Sequence, residues 1–225
     1  MGRFSQTVGR KGSKKWIQRL INKKTELINS QIRKNLGLLE NEEICWLSPL
    51  EEDDYAEYRD QAFIEKLGVK LDKVSLEDFW PSGGPQWDAL GRSGSSKLFL
   101  VEAKSHIQEL VSSIQAEDKD SLKKISKSLK DTKNFLNSKA EIDWSSRFYQ
   151  YTNRLAHLYL LRELNQLPAY LVFVYFINDK QMNGPRTVDE WKGAIKLLHS
   201  YLGIGRHKLQ KFMTEVFIDV KNLEV

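Results

Sequence analysis

The chain has 225 residues and a formal net charge of +5, and 40% of its residues are hydrophobic and 29% are charged. This length favours one sizeable domain with additions, and the six Trp, eight Tyr and ten Phe exclude a chain that is disordered throughout. A single cysteine excludes a disulfide-stapled secreted fold. No stretch reaches the ~18–20 apolar residues of a membrane span, so we expect a cytoplasmic protein without a membrane partner.

The first predicted element is a helix over residues 16–36. Its apolar residues recur at helical spacing, and Gly37 is placed to end it. Residues 1–13 lack such a pattern and are expected to be mobile.

Positive charge is concentrated in this N-terminal part of the chain. Up to Leu36 there are ten basic residues and one acid, so this segment carries +9 and the remainder −4. Such a field attracts polyanions. We therefore expect residues 1–50 to form a basic helical extension, with a solvated terminal helix as the alternative. The residues expected to contact nucleic acid are Lys14, Lys15, Arg19, Lys23 and Lys24.

Helix and strand patterns follow one another over the rest of the chain. They predict a short strand at 44–47, a helix at 51–67, strands at 69–74 and 76–80, a hairpin of strands at 87–90 and 97–104, polar helices within 107–136, a helix at 147–165, a strand at 169–177, a helix at 188–202 and a strand at 216–220. This order predicts an α/β fold, with a mixed sheet flanked by helices, over residues 51–225.

The predicted hairpin brings two carboxylates and an ammonium to one end of the sheet. Side chains alternate along a strand, so Glu102 and Lys104 share one face. A register that places Asp88 opposite Glu102 pairs Ser93 with Lys97 and leaves the Gly-Ser-Ser stretch between them as the loop. Carboxylates suit Mg²⁺ or Mn²⁺, and a nearby lysine can position water or stabilise charge in a displacement at phosphorus. A sheet end held by salt bridges is the alternative.

Asp88 followed by Glu102-Ala103-Lys104 resembles the motif of the PD-(D/E)xK nuclease superfamily. The resemblance implies the restriction-endonuclease-like fold, an α-β-β-β-α-β core, here with an N-terminal basic helix and a C-terminal helical addition. It also implies a divalent-metal-dependent nuclease in which Asp88 and Glu102 hold Mg²⁺ or Mn²⁺ and Lys104 acts on the attacking water. The stretch at 148–161, with the Trp-Asp-Ala-Leu stretch at 87–90, also resembles a group of uncharacterised bacterial proteins within that superfamily.

The resemblance extends to residues outside the motif. Members often carry another acid on the first core helix, for which Glu57 is the first choice and Glu65 the second. Members similar to lambda exonuclease carry Gln-x-x-x-Tyr on the helix after the motif. This chain has Gln150 with Arg154 at that spacing, and Asn153 is a second polar candidate there.

These expectations describe a hydrolase that cuts phosphodiester bonds, with DNA as the first substrate class. His106 follows the motif closely and is expected to contact a phosphate, with a surface histidine at the strand exit as the alternative. Two other functions stay open: a non-catalytic nucleic-acid-binding or assembly module with the same fold, and a protein whose basic helix meets an acidic partner. RNA as substrate, endo- or exonucleolytic action and a homodimer also stay open.

Overall fold

The computed structural model of the protein describes residues 2–224, which form an α/β fold. The strands are β1 (Arg3–Phe4), β2 (Ile44–Ser48), β3 (Glu57–Tyr58), β4 (Ala89–Ser93), β5 (Leu98–Lys104), β6 (Ala169–Ile177) and β7 (Met213–Asp219). The α-helices are α1 (Gly12–Lys23), α2 (Thr25–Leu36), α3 (Gln61–Leu67), α4 (Leu76–Phe79), α5 (Lys119–Phe135), α6 (Tyr149–Tyr159) and α7 (Val188–Leu202). A π-helical turn, Leu160–Leu164, continues α6.

The main sheet has five strands in the order β2-β4-β5-β6-β7. β4 is antiparallel to both of its neighbours, β2 and β5, and β5, β6 and β7 are parallel. β1 and β3 form a separate two-stranded antiparallel sheet. The predicted α/β class with a mixed sheet is therefore confirmed, and β6 spans the apolar run predicted at 169–177.

Helices cover both faces of the main sheet, and β5 supplies side chains to both hydrophobic cores. Leu98 and Leu100 pack in the core that includes α3, α5, α6 and α7. Phe99, Val101 and Ala103 pack on the other face, against α1 and α2. This alternation matches the faces predicted for β5, and it places Glu102 and Lys104 on the α6 side.

The N-terminal residues belong to the same fold as the rest of the chain. β2 is an edge strand of the main sheet, and α1 and α2 cover one face of that sheet. Within the described residues, the part predicted as a separate extension over 1–50 therefore shares its sheet and core with the rest of the fold. Lys24, with φ −143°, divides the predicted single helix in two, whereas Gly37 ends α2 as predicted. Arg3–Phe4 pairs with Glu57–Tyr58, so these residues are not the mobile segment that was expected. Met1 and Val225, the limits of the predicted ranges, lie outside the described residues.

The segment between β2 and β4 differs most from prediction. Residues 51–67 form a 3₁₀ turn, β3 and the short helix α3, because Asp54, Tyr55 and Asp60 take positive φ values that a helix cannot contain. Neither strand predicted at 69–74 and 76–80 forms. Ser75 instead accepts a hydrogen bond from the backbone N–H of Asp78 and begins α4. The strand beside β4 is therefore β2, which lies earlier in the chain.

Predictions for the second half of the chain hold better. Thr187 caps α7 by accepting from the N–H of Glu190, and β7 extends the strand predicted at 216–220 towards its N-terminal side. Helices were predicted within residues 107–136. The structure has a 3₁₀ turn at Ile107–Leu110 and the helix α5 in this range. Within residues 2–224, no helix has both the length and the apolar character needed to cross a membrane.

Candidate active site

A cavity of about 990 Å³ opens at the carboxyl end of β5. Its walls come from the end of β5, the loop before β4, the segment after the 3₁₀ turn at Ile107–Leu110, and α6. All five residues that the sequence predicts as catalytic line this cavity: Asp88, Glu102, Lys104, Glu57 and Gln150. The structure therefore brings together side chains that are up to 93 positions apart in the sequence.

The β4–β5 hairpin has the predicted register between Ala89 and the turn, whereas the predicted pair of Asp88 with Glu102 is not part of the ladder. Ala89 pairs with Val101, the ladder continues regularly to Arg92 and Leu98, and the N–H of Ser93 donates to the carbonyl of Lys97. The regular ladder ends at Ala89, so Asp88 lies just beyond it.

Asp88 reaches the end of β5 through both its backbone and its side chain. Its N–H donates to the carbonyl of Val101 at 3.2 Å, and its Oδ2 accepts from the N–H of Ala103 at 2.7 Å. The carboxylate thus replaces the backbone acceptor that a continuing β4 would supply. Because the N–H and C=O of one strand residue point to the same side, the carbonyl of Ala103 is also directed towards Asp88.

Glu102 lies between two cations. The Lys104 ammonium donates to its Oε1, and Arg154 Nε donates to its Oε2 at 2.6 Å. The side chains of Arg154 and Glu102 are only 5% and 4% exposed, so the ion pair is shielded from water. Lys104 also donates to Oε1 of Gln150 at 2.8 Å, which ties the strand to α6.

Glu57 is in the cavity but not on a helix as predicted. It lies in β3, and the neighbouring Tyr58 forms a bridge to Trp87 that holds this strand beside the hairpin. Gln86 and Gln6 donate to its Oε2, at 2.5 and 3.3 Å. The second-choice acid, Glu65, is an exposed residue of α3 and does not line the cavity.

The three carboxyl groups differ in their electrostatic surroundings. Burial, together with the charges of Glu102 and Glu57, raises the pKa of Asp88 well above its ordinary value. Burial also raises the pKa of Glu57, against the effect of its hydrogen bond from Gln86. Burial opposes ionisation of Glu102 too, but Arg154 and Lys104 outweigh it and lower the pKa of this carboxyl. A crowded set of carboxyl groups in a cleft, here two buried (Glu57, Glu102) and one half-buried (Asp88), is typical of functional sites.

The donor set fits a hard divalent cation in chemical type. Asp88, Glu102 and Glu57 supply carboxylate oxygens to the same cavity. No group of three or more His, Cys, Asp or Glu side chains within residues 2–224 is arranged to hold a metal ion. In this arrangement both oxygens of Glu102 are bound by Lys104 and Arg154.

Comparisons with other proteins add nothing to these contacts. No protein-family model matches the chain, and no curated protein or solved structure matches it.

The residues predicted to bind nucleic acid are dispersed. The Lys14 ammonium donates to Gln6 at 2.8 Å, and its charge acts on Glu57 in the cavity. Lys15 stacks over Trp16, with its ammonium 3.9 Å from the ring centroid, and Lys24 is exposed.

The other predicted contacts are engaged in the fold. Arg19 donates to the carbonyl of Leu223 at 3.3 Å, and Lys23 forms an ion pair with Glu51 at 3.1 Å. His106 begins the 3₁₀ turn at Ile107–Leu110, and its Nδ1 lies 3.4 Å from Glu109. None of the predicted nucleic-acid-binding residues lines the cavity itself, although Ser13, next to Lys14, does.

Two residues of the site were not assigned a role from sequence. Gln86 holds Glu57, and Arg154 holds Glu102. The available signal for Arg154 was its position one helical turn after Gln150, which puts both side chains on the same face of α6.

Proposed function

We propose that the protein is a divalent-metal-dependent nuclease that hydrolyses phosphodiester bonds, with DNA as its first substrate class. The observation that carries the proposal is the arrangement at the end of β5. Asp88, Glu102 and Lys104 meet there in one cavity, with a third carboxyl group from Glu57 and with Gln150 from α6.

The course of the chain around the site supports a restriction-endonuclease-like arrangement. The β4–β5 hairpin carries the motif, α6 crosses over from it, and β6 returns parallel to β5. The departure from the predicted α-β-β-β-α-β core is at its start, where β2 takes the place of the strands predicted at 69–74 and 76–80.

The proposed reaction is hydrolysis at phosphorus. The oxygen of a water molecule forms a bond to phosphorus as the bond to the leaving oxygen breaks; the water loses a proton to solvent, and the leaving oxygen takes one up. Lys104 orients the water or stabilises the negative charge that develops on the phosphate. Asp88 and Glu102 would hold Mg²⁺ or Mn²⁺, which polarises the phosphate and acidifies bound water.

The surroundings of the cavity suit a polyanion. Arg10, Lys11 and Lys14 lie in the segment next to Ser13, which lines the cavity, and they belong to the N-terminal part that carries the excess of positive charge. The volume of about 990 Å³ is at the upper end of the roughly 300–1,000 Å³ range of small-ligand pockets.

The test is a cleavage assay on single- and double-stranded DNA and RNA with Mg²⁺, Mn²⁺ or EDTA. We expect metal-dependent cutting that falls about 100-fold or more in Lys104→Ala. The matched control is Lys97→Ala, at the other end of the same hairpin, where the lysine pairs with Glu42 at 3.2 Å. Equal cutting by wild type and Lys104→Ala would refute the role given to Lys104.

The second candidate function is a nucleic-acid-binding module without turnover. The observation that favours it is that both oxygens of Glu102 are occupied by cations, as in a purely structural ion pair. This function predicts binding that weakens steeply with salt, and no cutting under any metal condition.

A further inference from the structure

Arg154 connects α6 to the candidate metal ligand Glu102. Its guanidinium donates to three acceptors at once: Glu102 Oε2 through Nε, the Gln86 carbonyl at 2.8 Å and the Asn153 side-chain oxygen at 3.0 Å. It also stacks on Trp87, with the guanidinium carbon 4.7 Å from the ring centroid. The position of the guanidinium is therefore fixed from several directions.

The open carboxylate oxygens of the site belong to Asp88 and Glu57, whereas both oxygens of Glu102 are bound by basic side chains. Four carboxyl groups line the cavity with two basic side chains, Lys104 and Arg154. Glu109 accepts from the Ser13 hydroxyl and the Ser105 N–H, and the other three are Asp88, Glu102 and Glu57. The two basic groups both bind Glu102, whereas within residues 2–224 the second oxygens of Asp88 and Glu57 accept no hydrogen bond. A divalent cation ligated by Glu102 would meet the positive guanidinium on the same oxygen, and like charges at contact distance repel.

We propose that Arg154 and a divalent cation compete for Glu102, so that Arg154 occupies this ligand until the cation displaces it. This inference rests on the proposed function, because it concerns the same metal site. Competition for Glu102 would give Arg154 a second role. When the cation displaces its guanidinium from Glu102, the guanidinium stays in the cavity, held by the Gln86 carbonyl and the Trp87 ring. Its planar set of N–H donors suits the oxygens of a phosphate.

The proposal predicts an effect on metal affinity that is measurable without substrate. Mn²⁺ binding is followed by the electron paramagnetic resonance signal of free Mn²⁺ in wild type, Arg154→Met and Arg154→Lys. Methionine keeps an unbranched apolar stem without charge, and we expect Arg154→Met to bind Mn²⁺ at least about tenfold more tightly than wild type. Lysine keeps the charge but cannot span the three acceptors, and we expect an increase of about threefold.

The matched control is Arg162→Met, which makes the same change in a residue outside the cavity. Arg162 lies in the π-helical turn that continues α6 and stacks on Phe212, with the guanidinium carbon 3.4 Å from the ring centroid. Its Mn²⁺ affinity is expected to equal that of wild type. Circular dichroism establishes that each variant is folded, and Arg154→Lys decides the question if Arg154→Met does not fold.

The outcomes separate the two proposals. Tighter Mn²⁺ binding in the Arg154 variants alone supports competition for Glu102. Equal or weaker binding in these variants, with Mn²⁺ bound by wild type, overturns the competition and leaves the nuclease proposal standing. Absence of Mn²⁺ binding in wild type and all variants, with no cutting in the cleavage assay, overturns both.

Discussion

The burial of His157 in the folded protein predicts how the free energy of unfolding changes with pH. This residue of α6 is 1% exposed, and its ring is surrounded by aromatic side chains, including Trp80 at a centroid distance of 4.8 Å and Phe63 at 6.2 Å. Its Nδ1 lies 2.8 Å from the carbonyl of Asn153, so Nδ1 carries the proton of the neutral ring and donates it. Burial lowers the pKa of His157 to about 3, and the nearby Arg154 acts in the same direction.

The sign and size of the effect follow from this pKa. The folded protein keeps His157 neutral, whereas the unfolded chain takes up a proton near the ordinary value of about 6.5. Lowering the pH therefore favours the unfolded chain. Between pH 7.5 and pH 5.0 the free energy of unfolding falls by about 2 kcal/mol on account of this one group. The figure is nearly the same for any folded-state pKa well below 5, so it does not depend on the exact shift.

The assay compares urea unfolding of wild type and His157→Gln at the two pH values. The variant will be less stable at both, because the ring no longer fills its aromatic surroundings, but it should lose about 2 kcal/mol less than wild type on acidification. His199 and His207, whose pKa values are also lowered by burial, contribute equally to both proteins and cancel. Losses that agree within about 0.5 kcal/mol would mean that His157 titrates normally in the folded protein, and would refute the argument from burial.

Three further predictions concern packing and charge. Gly184→Ala should destabilise the protein by about 1–3 kcal/mol in chemical denaturation, because its Cβ would lie 2.2 Å from the backbone oxygen of Ser105. Gly193→Ala is the control: nothing lies within 4 Å of the new methyl group in α7, and a gain of about 0.5–1 kcal/mol is expected, so equal effects at the two glycines would contradict the packing. Ile32→Ala should cost about 2–5 kcal/mol, since Ile32 is fully buried between α2 and the sheet, and a loss below about 1 kcal/mol would mean that α2 is not a structural layer. Lys14→Ala should reduce the slope of log affinity for DNA against log salt concentration by about 1, and an unchanged slope would exclude a phosphate contact at Lys14.

The elements that the sequence predicted well are those with a local cause. The hairpin register follows from its turn residues and from alternation along β5, and α7 begins at Thr187 because a threonine can accept from the backbone three residues later. The segment between β2 and β4 was predicted wrongly because its structure depends on distant partners. Glu57–Tyr58 is a strand only because it pairs with Arg3–Phe4, and no local pattern indicates that pairing.

In the candidate site, too, the residues placed by local patterns were predicted and those placed by distant contacts were not. Strand alternation was sufficient to place Glu102 and Lys104 on one face. The sequence predicts Glu57 on a helix, but this residue lies in β3. It reaches the cavity because the bridge between Tyr58 and Trp87 holds β3 beside the hairpin. Arg154 could be placed on the face of α6 that carries Gln150, but only the packing of α6 on the sheet shows that its charge meets Glu102.

The position of β5 within the fold determines which parts of the site can move. Every residue of β5 is buried, and β4 and β6 bind it on either side, so its amide protons should exchange with solvent only when the whole protein unfolds. The part of the cavity wall formed by β5, which carries Glu102 and Lys104, is therefore rigid. The rim is different: residues 81–86 and 111–118 contain no helix or strand. For the proposed nucleic acid substrate, adjustment to the width or path of the strand falls to these two segments, so changes in hydrogen exchange on DNA binding should appear there and in the segment around Lys14, and not in β5.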